Sequence, residues 1–143
     1  MEVRFYDHVD DKLLKYAVII SRHQNKWVFC KHKERETYEV PGGHREEGED
    51  ILSAAQRELC EETGAVDFSI VPVCVYSVTG KNRVNRTGEE TFGMLYFAEI
   101  ASFNEELHSE IEAVYLFDEL PTSWTYPLIQ PLLIQEYQRR NQI

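Results

Sequence analysis

Residues 43–65 read Gly-His-Arg-Glu-Glu-Gly-Glu-Asp-Ile-Leu-Ser-Ala-Ala-Gln-Arg-Glu-Leu-Cys-Glu-Glu-Thr-Gly-Ala. The stretch starts as a glycine turn, passes into helix-forming residues and stops at another glycine. Asp50 suits the N-cap, and Gly64 suits a left-handed C-terminal stop, so the spacing predicts a helix over about residues 50–63. Leu52, Ala55 and Leu59 fall at i, i+3 and i+7 and form the stripe expected to be buried. Beside that stripe, Glu58, Glu61 and Glu62 stand at i, i+3 and i+4, on one face. Three carboxylates so close repel one another and destabilise a bare helix. A divalent cation relieves the repulsion, and oxygen-only ligands suit Mg²⁺ or Mn²⁺.

The segments on either side read mainly as strands. Residues 1–11 form a loose edge strand, and residues 15–21 form a β-branched, apolar and buried one. A polar turn over residues 22–26 leads to a hairpin arm at 27–31, then to a charged loop at 31–36. A short strand at 38–40 is stopped by Pro41-Gly42-Gly43. After the helix, long strands are expected at 68–79 and 91–100, the latter with Phe92, Met94, Tyr96 and Ala98 on one side. A last strand covers 113–117, and a second helix covers 126–139. Strands thus precede and follow one central helix, and the fold class is α+β, a mixed sheet with helices packed on it. Regular βαβ alternation is lacking, and no GxGxxG follows Gly42-Gly43, which excludes a dinucleotide-binding reading.

The 143 residues fit a single domain spanning 1–143. Lys+Arg number 15 against 25 Asp+Glu, a formal charge of -10, which argues against a polymeric nucleic-acid partner. A small phosphorylated substrate remains compatible, because a bound metal and a few cations reverse the field in one pocket. Cys30, Cys60 and Cys74 are dispersed and odd in number, so a reducing cytoplasm is expected rather than a disulfide framework or zinc site. The longest early apolar run, residues 17–20, is far too short to span a membrane, and no membrane partner is expected.

The spacing inside the opening stretch carries a resemblance. Gly43 is followed after five residues by Glu49; seven more precede Arg57-Glu58-Leu59, and Cys60 leads into Glu61-Glu62-Thr63-Gly64-Ala65. This resembles the Nudix box, GX5EX7REUXEEXGU with U a bulky aliphatic, and departs from it only at Ala65. Tyr38-Glu39-Val40-Pro41-Gly42-Gly43 resembles the usual entry to the box, and Asp118-Glu119-Leu120-Pro121 resembles the segment before the last helix of MutT-like members. The Trp27 strand, the charged loop and the entry together are similar to the YtkD-type nucleoside triphosphate pyrophosphohydrolases. The resemblance implies a Nudix-type α/β/α sandwich. It also implies a hydrolase cleaving a nucleoside diphosphate linked to another group with Mg²⁺ or Mn²⁺, most simply a nucleoside triphosphate to its monophosphate and pyrophosphate.

By that resemblance Glu58, Glu61 and Glu62 are metal ligands and the Gly43 carbonyl is a further one; one of the three, Glu62 or Glu58 by preference, could instead take the proton of the attacking water. Arg57 orients a glutamate and pairs with Glu49, a task suited to a guanidinium fork. A general base or extra ligand outside the box is sought before the last strand, at Glu110 or, less favoured, Glu112. For the substrate, Lys31 aligns with a basic position of MutT-like enzymes, His44 follows the glycine turn, and Arg35 and Arg45 are similar candidates. Trp124 lies in the loop where such enzymes read the base; Tyr76, Phe92, Tyr96 and Tyr126 are other aromatic candidates. No asparagine of the kind used by oxidised-guanine specialists occurs between Asn104 and Asn141. Lys81, Arg83 and Arg86 are read either as a lid over an anion or as a solvated loop. Two alternatives stand beside the triphosphate reading: a catalytically idle nucleotide sensor, and a hydrolase of nucleotide sugars or dinucleoside polyphosphates. A homodimer is left open.

Overall fold

The computed structural model describes residues 1–82, 85–104 and 111–141, with 111–113 described by their strand alone. Eight strands and two helices follow in the order β1 (Glu2–Tyr6), β2 (Leu14–His23), β3 (Lys26–His32), β4 (Tyr38–Glu39), β5 (Gly42–His44), α1 (Ile51–Thr63), β6 (Ala65–Thr79), β7 (Thr91–Phe103), β8 (Ile111–Phe117) and α2 (Gln130–Asn141). The sheet runs β1-β6-β7-β2-β3-β4, with β5 on β2 and β8 on β3. All pairings are antiparallel except β2 with β7.

The β2–β3 hairpin turns through Gln24 and Asn25, both at positive φ (50° and 66°), which matches the right-handed twist of its strands. Past the turn β2 and β3 separate. β5 then fills the space on β2 through Tyr16↔His44, Ala17↔Gly43 and Val18↔Gly42. The glycines expected to terminate a strand therefore form one, and this brings the box entry onto the central strand.

Alternation along the strands sends side chains to two cores. On one face Ala17 and Ile19 of β2, Val28 of β3 and Tyr96, Ala98 and Ile100 of β7 meet Ala54, Ala55 and Leu59 of α1. The small Ala54 and Ala55 let α1 lie close to the sheet. Leu52 does not share this stripe: it is 42% exposed, and Ala54, Ala55, Leu59 and Thr63 are the buried residues of the helix. On the other face Ile20, Phe29, Tyr76 and Leu95 pack against Leu133, Ile134 and Tyr137 of α2. That helix starts at Gln130 rather than 126, because Pro131 is tolerated in a first turn, while Pro127 sits in the turn before it. Among the described residues no helix is long and apolar enough to cross a membrane.

Candidate active site

The ends of α1 are fixed as its sequence requires. Asp50 accepts the Ser53 N–H at 2.7 Å, and Gly64 at φ 74° donates its N–H to the Cys60 carbonyl. The last turns are thereby aimed at β5. Arg57 is the hub. Its Nε donates to Glu49 at 2.7 Å and its Nη2 to the other Glu49 oxygen at 3.0 Å, a two-pronged bond. Nη1 reaches Glu58 at 2.8 Å and Glu61 at 3.4 Å, and Nη2 also donates to the His44 carbonyl at 3.0 Å. The Arg57 fork and the Glu46 N–H hold the Glu49 carboxyl down to about 2, and Glu49 in turn raises the Arg57 guanidinium. The expected Arg57–Glu49 pairing is present.

Glu58 lies against the glycine strand. A Cβ on Gly43 would stand 2.5 Å from a Glu58 carboxylate oxygen, so a side chain there would collide with the carboxylate. Desolvation raises the Glu58 carboxyl and Arg57 opposes that shift. Glu62 is half-buried and accepts the Gly42 N–H at 2.6 Å. Burial, reinforced by Glu58, Glu39 and Glu61 and opposed by that N–H, pushes it up to about 8. The Cys30 thiol donates to the Glu62 carbonyl at 3.4 Å, tying this end of the helix to β3.

These groups suit a hard cation. Every donor is oxygen, Glu58 touches the Gly43 turn, and a partly buried Glu62 carboxylate is disfavoured until positive charge arrives. Among the described residues no three His, Cys, Asp or Glu side chains enclose a metal position by themselves.

Next to the glycine strand is a cleft of about 150 Å³. Its aromatic wall is Tyr16, Tyr76 and Tyr126, with His44 at the glycine strand and Ile129 and Leu133 beneath. Glu39, Asn82, Thr91 and Gln130 supply polar edges. His44 stacks at a tilt on Tyr16, with ring centroids 4.5 Å apart.

The remaining candidates fall elsewhere. Trp124 does not line the cleft. It packs edge-to-face on Phe29 at 5.4 Å and bridges Tyr38, while Tyr126, two residues on, faces the opening. Phe92 packs on Tyr6, and Tyr96 belongs to the α1 core. Lys31 is not a surface lysine: it is 9% exposed in β3, with Glu36 3.8 Å away. Arg45 is committed to the Glu49 carbonyl at 2.7 Å and to Asp11 at 2.9 Å, and Arg35 to Glu39 at 3.1 Å. The 80–90 loop is tied through buried Asn85, which donates to the Glu89 carbonyl at 2.7 Å and accepts the Gly88 N–H at 3.1 Å. Lys81 and Arg86 are exposed on it. Arg83 and Glu110 lie outside the described residues, as does the side chain of Glu112. Sequence reasoning passed over Glu39, Asn82, Asn85 and Gln130. Only Glu39 carried a signal, as a carboxylate three residues before Gly42 that folds back toward the box.

Comparison with known proteins agrees with this geometry. A NUDIX domain model matches residues 12–133. The Bacillus subtilis (strain 168) protein named "Putative 8-oxo-dGTP diphosphatase YtkD" is 34% identical over 122 residues, covering 85% of this chain and 73% of that one. A crystal structure of the Bacillus subtilis pyrophosphohydrolase BsRppH superposes with a TM-score of 0.76 at 27% identity, covering 96% of this chain and 90% of its own. The NUDIX domain of Shewanella oneidensis NrtR, complexed with ADP ribose, shares the fold at a TM-score of 0.67 and 15% identity, with 94% of each chain covered. With the glycine strand, the Arg57 fork and the carboxylates of α1 in the positions described, the chain belongs to the Nudix family and is one of its pyrophosphohydrolases.

Proposed function

We propose that this enzyme hydrolyses nucleoside triphosphates, canonical or modified, to the monophosphate and pyrophosphate, with Mg²⁺ or Mn²⁺. The observation that carries the reading is the contact between Glu58 and the Gly43 strand at one end of a tyrosine-walled cleft. A phosphate chain held at the glycine strand leaves a flat base to the tyrosines.

Glu58, Glu61 and Glu62 would hold the ion, with the Gly43 carbonyl as a further ligand. When bound, the ion neutralises phosphate charge and acidifies a coordinated water. Arg57 keeps Glu58 and Glu61 apart and oriented, braced from behind by Glu49. Water attacks phosphorus, a new P–O bond forms, the anhydride P–O bond breaks, and pyrophosphate leaves. The water's proton goes to Glu62 or Glu58, the two carboxyls of the cluster that burial raises when no metal is bound. His44, which lines the cleft beside Gly43, contacts the phosphates or ribose. The Lys31 ammonium adds positive potential from within β3. Glu110, outside the described residues, would supply an additional carboxylate as base or ligand. A reducing cytoplasm fits Cys30, Cys60 and Cys74, all free thiols.

A panel of nucleoside triphosphates, ADP-ribose and dinucleoside polyphosphates, assayed with Mg²⁺ and with Mn²⁺, tests this by product chromatography. Monophosphate plus pyrophosphate is expected from triphosphates. Release of inorganic phosphate alone, or turnover confined to the other substrates, would contradict it. Tight binding without any turnover would instead indicate a sensor.

A further inference from the structure

We propose that Gln130 sets base preference in the cleft. It selects nucleobases that present a carbonyl oxygen and rejects those that present an amino group at the same edge. The proposal rests on the nucleotide hydrolase reading above and names the class of base that the site accepts.

Gln130 opens α2 and is 6% exposed, yet it lines the cleft. Its backbone N–H donates to the Tyr126 carbonyl at 3.0 Å, which fixes where its side chain begins. Its Oε1 accepts the N–H of Val40 at 2.9 Å. Val40 is 3% exposed, and the next residue, Pro41, has no N–H of its own. Turning the amide over would set its NH2 against the Val40 N–H and orphan a buried donor, an arrangement that native proteins avoid. The oxygen must therefore face Val40, and the NH2 is the group left for the cleft.

A donor held in this way discriminates by sign. Guanine, hypoxanthine, uracil and thymine offer a ring carbonyl oxygen; adenine and cytosine offer an amino group in its place. The first arrangement completes a hydrogen bond. The second sets donor against donor in a desolvated site, where an unmade bond is expensive. Tyr16, Tyr76 and Tyr126 offer aromatic surface to any base.

Inosine and adenosine triphosphates separate this effect from stacking, because they differ at purine position 6. With Mg²⁺, kcat/KM for ITP and GTP is expected to exceed that for ATP by at least about tenfold. Gln130→Leu should bring the three substrates close together. Gln130→Glu still accepts the Val40 N–H through one oxygen and presents the other as an acceptor, so it should shift preference toward ATP. Ratios taken within one preparation do not depend on the folded fraction, and a purely structural role would not reverse them. Equal turnover of ITP and ATP by the wild type would overturn the proposal while leaving the hydrolase reading intact. A Gln130→Leu variant that keeps the wild-type ratio would do the same. Failure to hydrolyse any nucleotide would remove the hydrolase reading, and this inference with it.

Discussion

The carboxylate end of α1 and the cleft beside α2 are assembled differently. Gly43, Arg57, Glu58, Glu61 and Glu62 come from one continuous stretch, 43–62, in which Arg57 donates to Glu58 and Glu61 and Glu58 lies against Gly43. The cleft draws Tyr16 from β2, Tyr76 from β6, Thr91 from β7 and Gln130 from α2, with Asn82 from the loop after β6. The first region is charged and centred on one guanidinium; the second is largely apolar, with three tyrosines in its wall. Chemistry that every substrate shares can be kept in a local motif. On the proposal above, selection among bases falls to residues distant in sequence.

Substitutions on the two sides should therefore behave differently. The largest effect is expected at Gly43→Ala, whose methyl meets the Glu58 carboxylate. A displacement on the ångström scale lowers kcat/KM by about a hundredfold, measured with Mg²⁺ and a triphosphate, while base preference stays unchanged. Loss of preference without loss of rate would break the proposed division between the regions.

Arg57→Lys comes next. It keeps the charge and loses the fork to Glu49, so a drop of about tenfold to a hundredfold is expected, as for other supports behind metal ligands. Steady-state kinetics across a Mg²⁺ titration checks it, and wild-type behaviour at every Mg²⁺ concentration would show that charge alone suffices.

The smallest effect is on stability. Glu62 moves from 4.5 to about 8 on folding without metal. The folded state then binds its proton more tightly than the unfolded chain. Its contribution favours folding below about pH 4.5 and is withdrawn as pH rises toward 8. Glu49 works in the opposite direction, from 4.5 down to about 2: its contribution is present above about pH 4.5 and is lost as pH falls toward 2. Urea unfolding in the presence of a chelator should show the metal-free wild type losing stability between pH 5 and 8 relative to Glu62→Gln, and Mg²⁺ should remove the difference. Parallel pH profiles for the two proteins would sharpen the comparison against Glu62.

How much of this could be read from sequence follows the same division. Asp50, Gly64 and the Arg57–Glu49 pair were legible because caps and helical spacing are local. Leu52 misled because a wide apolar stripe does not reveal which edge the sheet covers; the buried face turned out to include Ala54, which a stripe drawn through Leu52 omits. The sequence does not distinguish a start of α2 at 126 from one at Gln130, because Pro127 and Pro131 both suit a first turn. The parallel pairing of β2 with β7 and the insertion of β5 depend on which distant strands meet, a matter on which alternation is silent. For the same reason Trp124, which lies in the loop where MutT-like enzymes read the base, is a misleading candidate whose ring is spent on Phe29, and Gln130 carries no local signal. Its importance lies in a bond to Val40, ninety residues away.

The central claim is that the carboxylates of α1, set against the Gly43 strand, form a metal-dependent hydrolytic site. The most direct measurement is Mg²⁺-dependent turnover of a nucleoside triphosphate by the wild type, Glu58→Gln and Glu62→Gln, with products resolved and folding checked by circular dichroism. The wild type should release monophosphate and pyrophosphate, and each folded variant should lose about a hundredfold or more in kcat. Turnover at the wild-type rate in both folded variants would contradict the account.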